Sequence, residues 1–116
     1  MIVGVGVDVV DVARLAAAIE RTPGLLSRLF SPDAAAVAEA PRLAARFAAK
    51  EAASKAIGLR GVRFREVEVV STGGRPTLVV TGETADAARE AGVERWHVSL
   101  SHDGGVATAF VVAEGP

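Results

Sequence analysis

Cysteine is absent from the 116 residues. That excludes a disulfide framework, a thiolate metal site and a cysteine nucleophile together. Aromatic residues make up only 4 % against a hydrophobic fraction of 50 %. The apolar content is therefore mostly alanine and valine, which implies small side chains and closely spaced elements. Excess charge is missing as well: 13 Lys and Arg stand against 14 Asp and Glu, a net charge of −1. This balance argues against a protein that coats nucleic acid or an anionic membrane, though it permits a local basic site. No apolar run reaches the length of about 18 residues that a spanning helix needs. The opening MIVGVGVDVV lacks a basic leader and meets Asp8 early, so no signal peptide is expected. The expectation is one cytoplasmic globular domain, residues 1–116, with a modest core that buries roughly 65 % of the unfolded surface.

Residues 2–10 alternate as a strand. Val3, Val5, Val7 and Val9 form one face, read as the core face; Ile2, Gly4, Gly6 and Asp8 form the other. Glycines inside a strand mark the close approach of a ligand or of another backbone. Asp11 caps a helix running to about Arg21, with Pro23-Gly24 as its stop. Leu25, Leu26, Leu29 and Phe30 form a short apolar turn. Ser31-Pro32 opens a short alanine-rich helix that ends before Pro41. The longest helix is expected over 42–57, closed by Gly58. Residues 64–70 read as a strand, 72–76 as a hairpin loop and 77–81 as the returning strand. A helix over 83–91 ends at Gly92, and strands over 95–101 and 106–113 flank the turn Asp103-Gly104-Gly105. Helices dominate the first half and hairpins the second. The fold class is α+β, a mostly antiparallel sheet packed against one long helix.

Gly4-Val5-Gly6 is not a dinucleotide fingerprint. The third glycine would fall at position 9, which is Val9, and the pair lies inside the strand rather than at its exit. Neither a P-loop nor a Gly-x-Ser-x-Gly elbow occurs. Asp8 is more telling, because a carboxylate on an apolar strand is costly unless paired, hydrogen-bonded or bound to a cation. The helix over 42–57 carries the strongest pattern. At about 100° per residue, Arg46, Lys50, Ser54, Glu51 and Lys55 share one half of the wheel. Ala45, Ala49, Ala52 and Ala56 share the other, a smooth face suited to a sheet. Charged helical faces are commonly plain solvated surface. Three cations around one carboxylate also suit a polyphosphate held with a divalent ion, and Mg²⁺ takes one or two carboxylates besides phosphates and water. Ser99-Leu100-Ser101-His102-Asp103 then places His102 and Asp103 at a strand exit. His97, beside Trp96 within the strand, is read as structural.

GVGVDVVDVARL at 4–15, RFAAKEAASKAIG at 46–58 and HVSLSHDGGVATA at 97–109, with GGRP at 73–76, resemble the motifs of the holo-acyl-carrier-protein synthases. These are the short stand-alone 4′-phosphopantetheinyl transferases, and the resemblance spans nearly the whole chain in order. It implies transfer of the phosphopantetheine arm of coenzyme A to a serine of apo acyl carrier protein, with release of 3′,5′-ADP and a need for Mg²⁺. It implies metal ligands at Asp8 and Glu51. The coenzyme A site is expected to draw on Arg46, Lys50, Ser54, Lys55, Gly58, Pro76 and His102, and Arg14 to grip the acidic recognition helix of the carrier. Catalytic roles are expected of Asp8, Glu51, Lys55, His102 and Asp103. Glu51, Asp103 or a metal-bound water remains open as the base. The resemblance also implies a homotrimer with active sites at subunit interfaces and a place in fatty acid or polyketide biosynthesis. The alternative is a non-catalytic module of the same fold that holds coenzyme A or an acyl carrier.

Overall fold

The computed structural model describes residues 1–36, 39–71 and 73–116. Val37 and Ala38 in the alanine-rich segment, and Thr72 in the expected hairpin loop, lie outside the described residues. The chain runs β1 (Ile2–Asp11), α1 (Val12–Arg21), α2 (Leu25–Leu29), α3 (Pro32–Ala35) and α4 (Ala40–Ala56). It continues through a 3₁₀ turn (Phe64–Glu66), β2 (Val67–Val70), β3 (Thr77–Val80), α5 (Gly82–Glu90), β4 (Arg95–Asp103) and β5 (Val106–Glu114). Strands β1, β5 and β4 form one antiparallel sheet in that order, and β2 and β3 form a separate antiparallel pair. The α+β expectation holds, with the sheet divided in two.

Helix α4 lies across the β1–β5–β4 sheet and organises the core. Ala45, Ala49, Ala52 and Ala56 are buried as the wheel required, together with Ala48 and Ala53 against Val111, Ala109 and Ala113 of β5. Gly4 and Gly6 are what let α4 come so close. A Cβ on Gly4 would overlap the carbonyl oxygen of Ala56, and one on Gly6 that of Ala52. The glycine pair therefore serves helix packing, one of the two readings that strand glycines allow.

This reverses the expected polarity of β1. The even face, bearing Gly4, Gly6 and Asp8, meets the helix, whereas Val5, Val7 and Val9 stand 53 %, 51 % and 64 % exposed. Only Val3 packs against the core, beside an irregularity in the β1–β5 register between Ile2 and Gly4. Hydrophobicity pointed to the valine face, but backbone proximity selected the glycine face. On β5, Val112 and the half-exposed Phe110 pair with Val5 and Val7, so an apolar stripe crosses the outside of the sheet.

Local chemistry explains most element ends. Asp11 accepts from the Arg14 N–H at 2.9 Å and caps α1, and Ser31 accepts from the Ala34 N–H to cap α3 with Pro32 in its first turn. Helix α4 starts at Ala40, earlier than expected, because Pro41 falls in the first turn, where no backbone donor is needed. Gly58 leaves α4 at φ +71°, the left-handed conformation expected of a terminating glycine. Strand β2 begins at Val67, later than expected. Phe64–Glu66 is instead a 3₁₀ turn whose Glu66 carboxylate accepts from the Thr84 N–H at 2.9 Å and from the Thr84 hydroxyl at 2.8 Å, in the first turn of α5.

Candidate active site

Two clefts open on opposite flanks of α4. The first, about 430 Å³, is lined by Asp8, Val10 and Asp11 of β1, Arg14 and Leu15 of α1, and Phe47 and Glu51 of α4. It arises where β1 turns directly into α1 beside the middle of α4. Asp8 follows the glycines that seat α4, so the close packing carries its carboxylate to the helix. The Thr108 hydroxyl donates to the Asp8 carbonyl at 2.8 Å and steadies the strand there. Lys55 closes one side: its Nζ donates to Asp8 Oδ1 and to the Val7 carbonyl, both at 3.1 Å. Burial raises the pKa of Glu51 above the ordinary carboxylate value, the Asp8 charge adds to the rise, and Lys55 opposes it. Two carboxylates, one ammonium and Arg14 thus meet at one place, from segments 43 residues apart between Asp8 and Glu51.

The second cleft, about 240 Å³, is lined by Arg42, Ala45 and Arg46 of α4, Val69 of β2, Ser71 and Pro76 of the hairpin, and Leu100 and His102 of β4. Three expected site residues, Arg46, Pro76 and His102, meet here. Burial is the main cause that lowers the Arg46 pKa; neighbouring Arg42 adds to it and Glu68 opposes it. Arg42 was missed from the sequence, although it stands one helical turn before Arg46 and on the same flank. Phe47, stacked on Phe64 with centroids 5.3 Å apart, was also missed as a wall of the first cleft.

Other expected residues lie apart from both clefts. Lys50 is fully buried under the β2–β3 pair, where its ammonium donates to the carbonyls of Phe64 and Val67. Ser54 is 3 % exposed and its hydroxyl has no hydrogen-bond partner. The wheel put both on the charged half of α4, but the hairpin covers that flank. Asp103 ends β4 exposed, opposite Val106. His97 Nε2 lies 2.9 Å from Glu114 Oε1 on the outer sheet face, which fits its structural reading.

The fold and site define a class. The family model of the 4′-phosphopantetheinyl transferase superfamily matches residues 4–111, and the chain belongs to that superfamily. Within it, the full-length likeness is to holo-acyl-carrier-protein synthases. The chain is 56 % identical over 115 residues to the holo-[acyl-carrier-protein] synthase of Frankia alni, covering 97 % of this chain and 98 % of that one. Among solved structures, the holo-[acyl-carrier-protein] synthase of Neisseria meningitidis superposes with a TM-score of 0.86 at 31 % identity, over 98 % of this chain and 99 % of that one. That of Helicobacter pylori, solved in complex with coenzyme A, gives 0.83 at 28 % identity, over 95 % and 99 %.

Proposed function

We propose that this chain is a holo-acyl-carrier-protein synthase that moves the phosphopantetheine arm of coenzyme A onto a serine of apo acyl carrier protein and releases 3′,5′-ADP. One observation supports the assignment of the reacting centre: Asp8 and Glu51 line a single cleft beside Arg14, and Lys55 donates to Asp8. Two hard oxygen donors, one from β1 and one from α4, suit Mg²⁺, which takes one or two carboxylates besides phosphate oxygens and water. Asp8 and Glu51 would hold the ion, which would supply neutralisation of pyrophosphate charge.

In the transfer, the serine Oγ forms a bond to the phosphorus bearing the pantetheine, and the bond from that phosphorus to the bridging oxygen breaks. The electron pair leaves with 3′,5′-ADP. Lys55 stabilises the charge growing on the phosphate oxygens. Glu51, in the same cleft as Asp8, accepts the serine proton. Arg14, at the open edge of that cleft, receives the acidic surface of the carrier.

Arg46, Pro76 and His102 hold the nucleotide end of coenzyme A. They occupy the second cleft, on the far flank of α4 from Glu51. In the proposed assembly the second cleft of one subunit faces the first cleft of another, and one coenzyme A spans both. The exposed stripe of Val5, Val7, Val9 and Phe110 offers the surface for that assembly, which we propose is a homotrimer. Among the described residues, no helix is long and apolar enough to cross a membrane. We place the protein, as a single domain, in the cytoplasm, where it serves fatty acid or polyketide biosynthesis.

The test is a mass-shift assay. Apo acyl carrier protein incubated with this protein, coenzyme A and Mg²⁺ gains one phosphopantetheine. Binding of coenzyme A in a calorimeter with no mass gain on any of several carriers favours the non-catalytic module instead.

A further inference from the structure

Lys50 is the one fully buried charged side chain among the described residues. Its Nζ donates to the Phe64 carbonyl at 2.6 Å and to the Val67 carbonyl, and it lies 3.4 Å from Glu68 Oε2. The Phe30 ring, with its centroid 5.5 Å away, closes the other side. Burial lowers the Lys50 pKa, and Glu68 opposes that cost. The expense of a dry ammonium is met only where every proton finds a partner.

Its partners bracket the 3₁₀ turn. Phe64 opens the turn, Val67 starts β2, and Glu68 is the next residue of that strand. The β2–β3 pair shares no ladder with the larger sheet, so its height over α4 depends on such cross-links. From β2 and its hairpin come Val69, Ser71 and Pro76, three of the eight residues that line the cleft holding Arg46 and His102. Arg46 stands one helical turn before Lys50. It also lines, with Glu68, an adjoining cleft that includes Ser71.

We propose that Lys50, acting with Glu68, is a positioning residue for the coenzyme A site: it pins the β2–β3 hairpin over α4 so that Ser71 and Pro76 face Arg46 and His102, and it does not touch the nucleotide. The inference rests on the reading that the Arg46 cleft takes coenzyme A. It reassigns a lysine that the helical wheel groups with the phosphate-binding cations.

A double-mutant cycle tests it, using steady-state transfer with coenzyme A varied. Lys50→Met is expected to raise KM for coenzyme A about tenfold and to leave kcat within about threefold. In an Arg46→Ala background the same change adds little, because a displaced hairpin has no Arg46 left to misalign. If Lys50→Met does not fold, Glu68→Gln, which preserves size and removes only charge, enters the same cycle with the same expectation. Additive effects on KM overturn the proposal, since Lys50 then acts independently of Arg46. A lowered Tm with unchanged KM overturns it as well, leaving Lys50 a scaffold residue only. Arg46→Ala alone separates the two levels: if that variant keeps the KM of the parent, the site reading itself falls, and the proposal with it.

Discussion

Lys55 Nζ lies 3.1 Å from Asp8 Oδ1, a pair 47 residues apart that joins the last turn of α4 to β1. Lys55 is 55 % exposed, so the pair contributes little to stability. Its value lies in aim, because both groups are held toward the mouth of one cleft before any substrate arrives.

Removing either side of the acidic pair is expected to slow transfer severely. Asp8→Ala is expected to lower kcat by about 10²-fold or more, the usual cost of losing one preorganised electrostatic contact at a reacting centre. The variant also needs more Mg²⁺ for half-maximal rate. Titration of Mg²⁺ against holo-carrier formation checks both. Full activity at the parental Mg²⁺ concentration removes Asp8 from the mechanism.

Glu51→Gln separates binding from proton transfer. The expected loss in kcat is about 10²- to 10⁴-fold, with KM for coenzyme A nearly unchanged. Recovery of the lost rate at high Mg²⁺ concentration argues that Glu51 is a metal ligand only and that another group is the base.

Gly4→Ala and Gly6→Ala press a methyl group into the carbonyls of Ala56 and Ala52. Backbone cannot swing aside as a long side chain can. Each substitution is expected to cost at least about 1–3 kcal/mol. Tm then falls by about 4–8 °C per kcal/mol for a domain of this size. Thermal unfolding by circular dichroism reads it, and an unchanged Tm refutes the close approach.

Glu114 gives stability a defined acid dependence. Its carboxylate accepts from His97 and Arg95, which hold its pKa at about 2. The folded pKa lies below the ordinary glutamate value of 4.5, so the contribution is full above about pH 4.5. It is lost progressively as pH falls toward 2. The Tm difference between the parent and Glu114→Gln is expected to be constant near neutrality and to close across that window. A difference that persists at the acid end contradicts the pairing.

Val7→Asp tests the outer stripe. Val7 pairs with Phe110 across the sheet, and both are about half exposed. A charge there is expected to convert a trimer into monomers in sedimentation velocity and to abolish transfer. A trimer of unchanged affinity places the interface elsewhere.

Much of this was legible from residue patterns. The caps at Asp11 and Ser31, the glycine at 58 and the alanine face of α4 each follow from local rules, and each is where those rules put it. The polarity of β1 was not, because alternation reveals two faces without saying which one a helix will choose. Choosing correctly required knowing that α4 sits backbone to backbone on glycine. The charged half of α4 was legible as a set but not in its division: Glu51 lines one cleft, Lys55 pairs with Asp8 beside it, Arg46 lines another, and Lys50 and Ser54 line neither. That division is made by the hairpin, whose position depends on tertiary packing that a helical wheel does not contain.

The glycine seats beneath α4 also act as a gauge block. The gap from β1 to the helix is set by main chain resting on main chain at Gly4 and Gly6. Asp8 and Glu51 hang from the two sides of that gap, so their separation passes through no core side chain whose size can drift. Substitution elsewhere in the interior can loosen or tighten the protein without rescaling the mouth between the two carboxylates. Substitution at the glycines can only spread it.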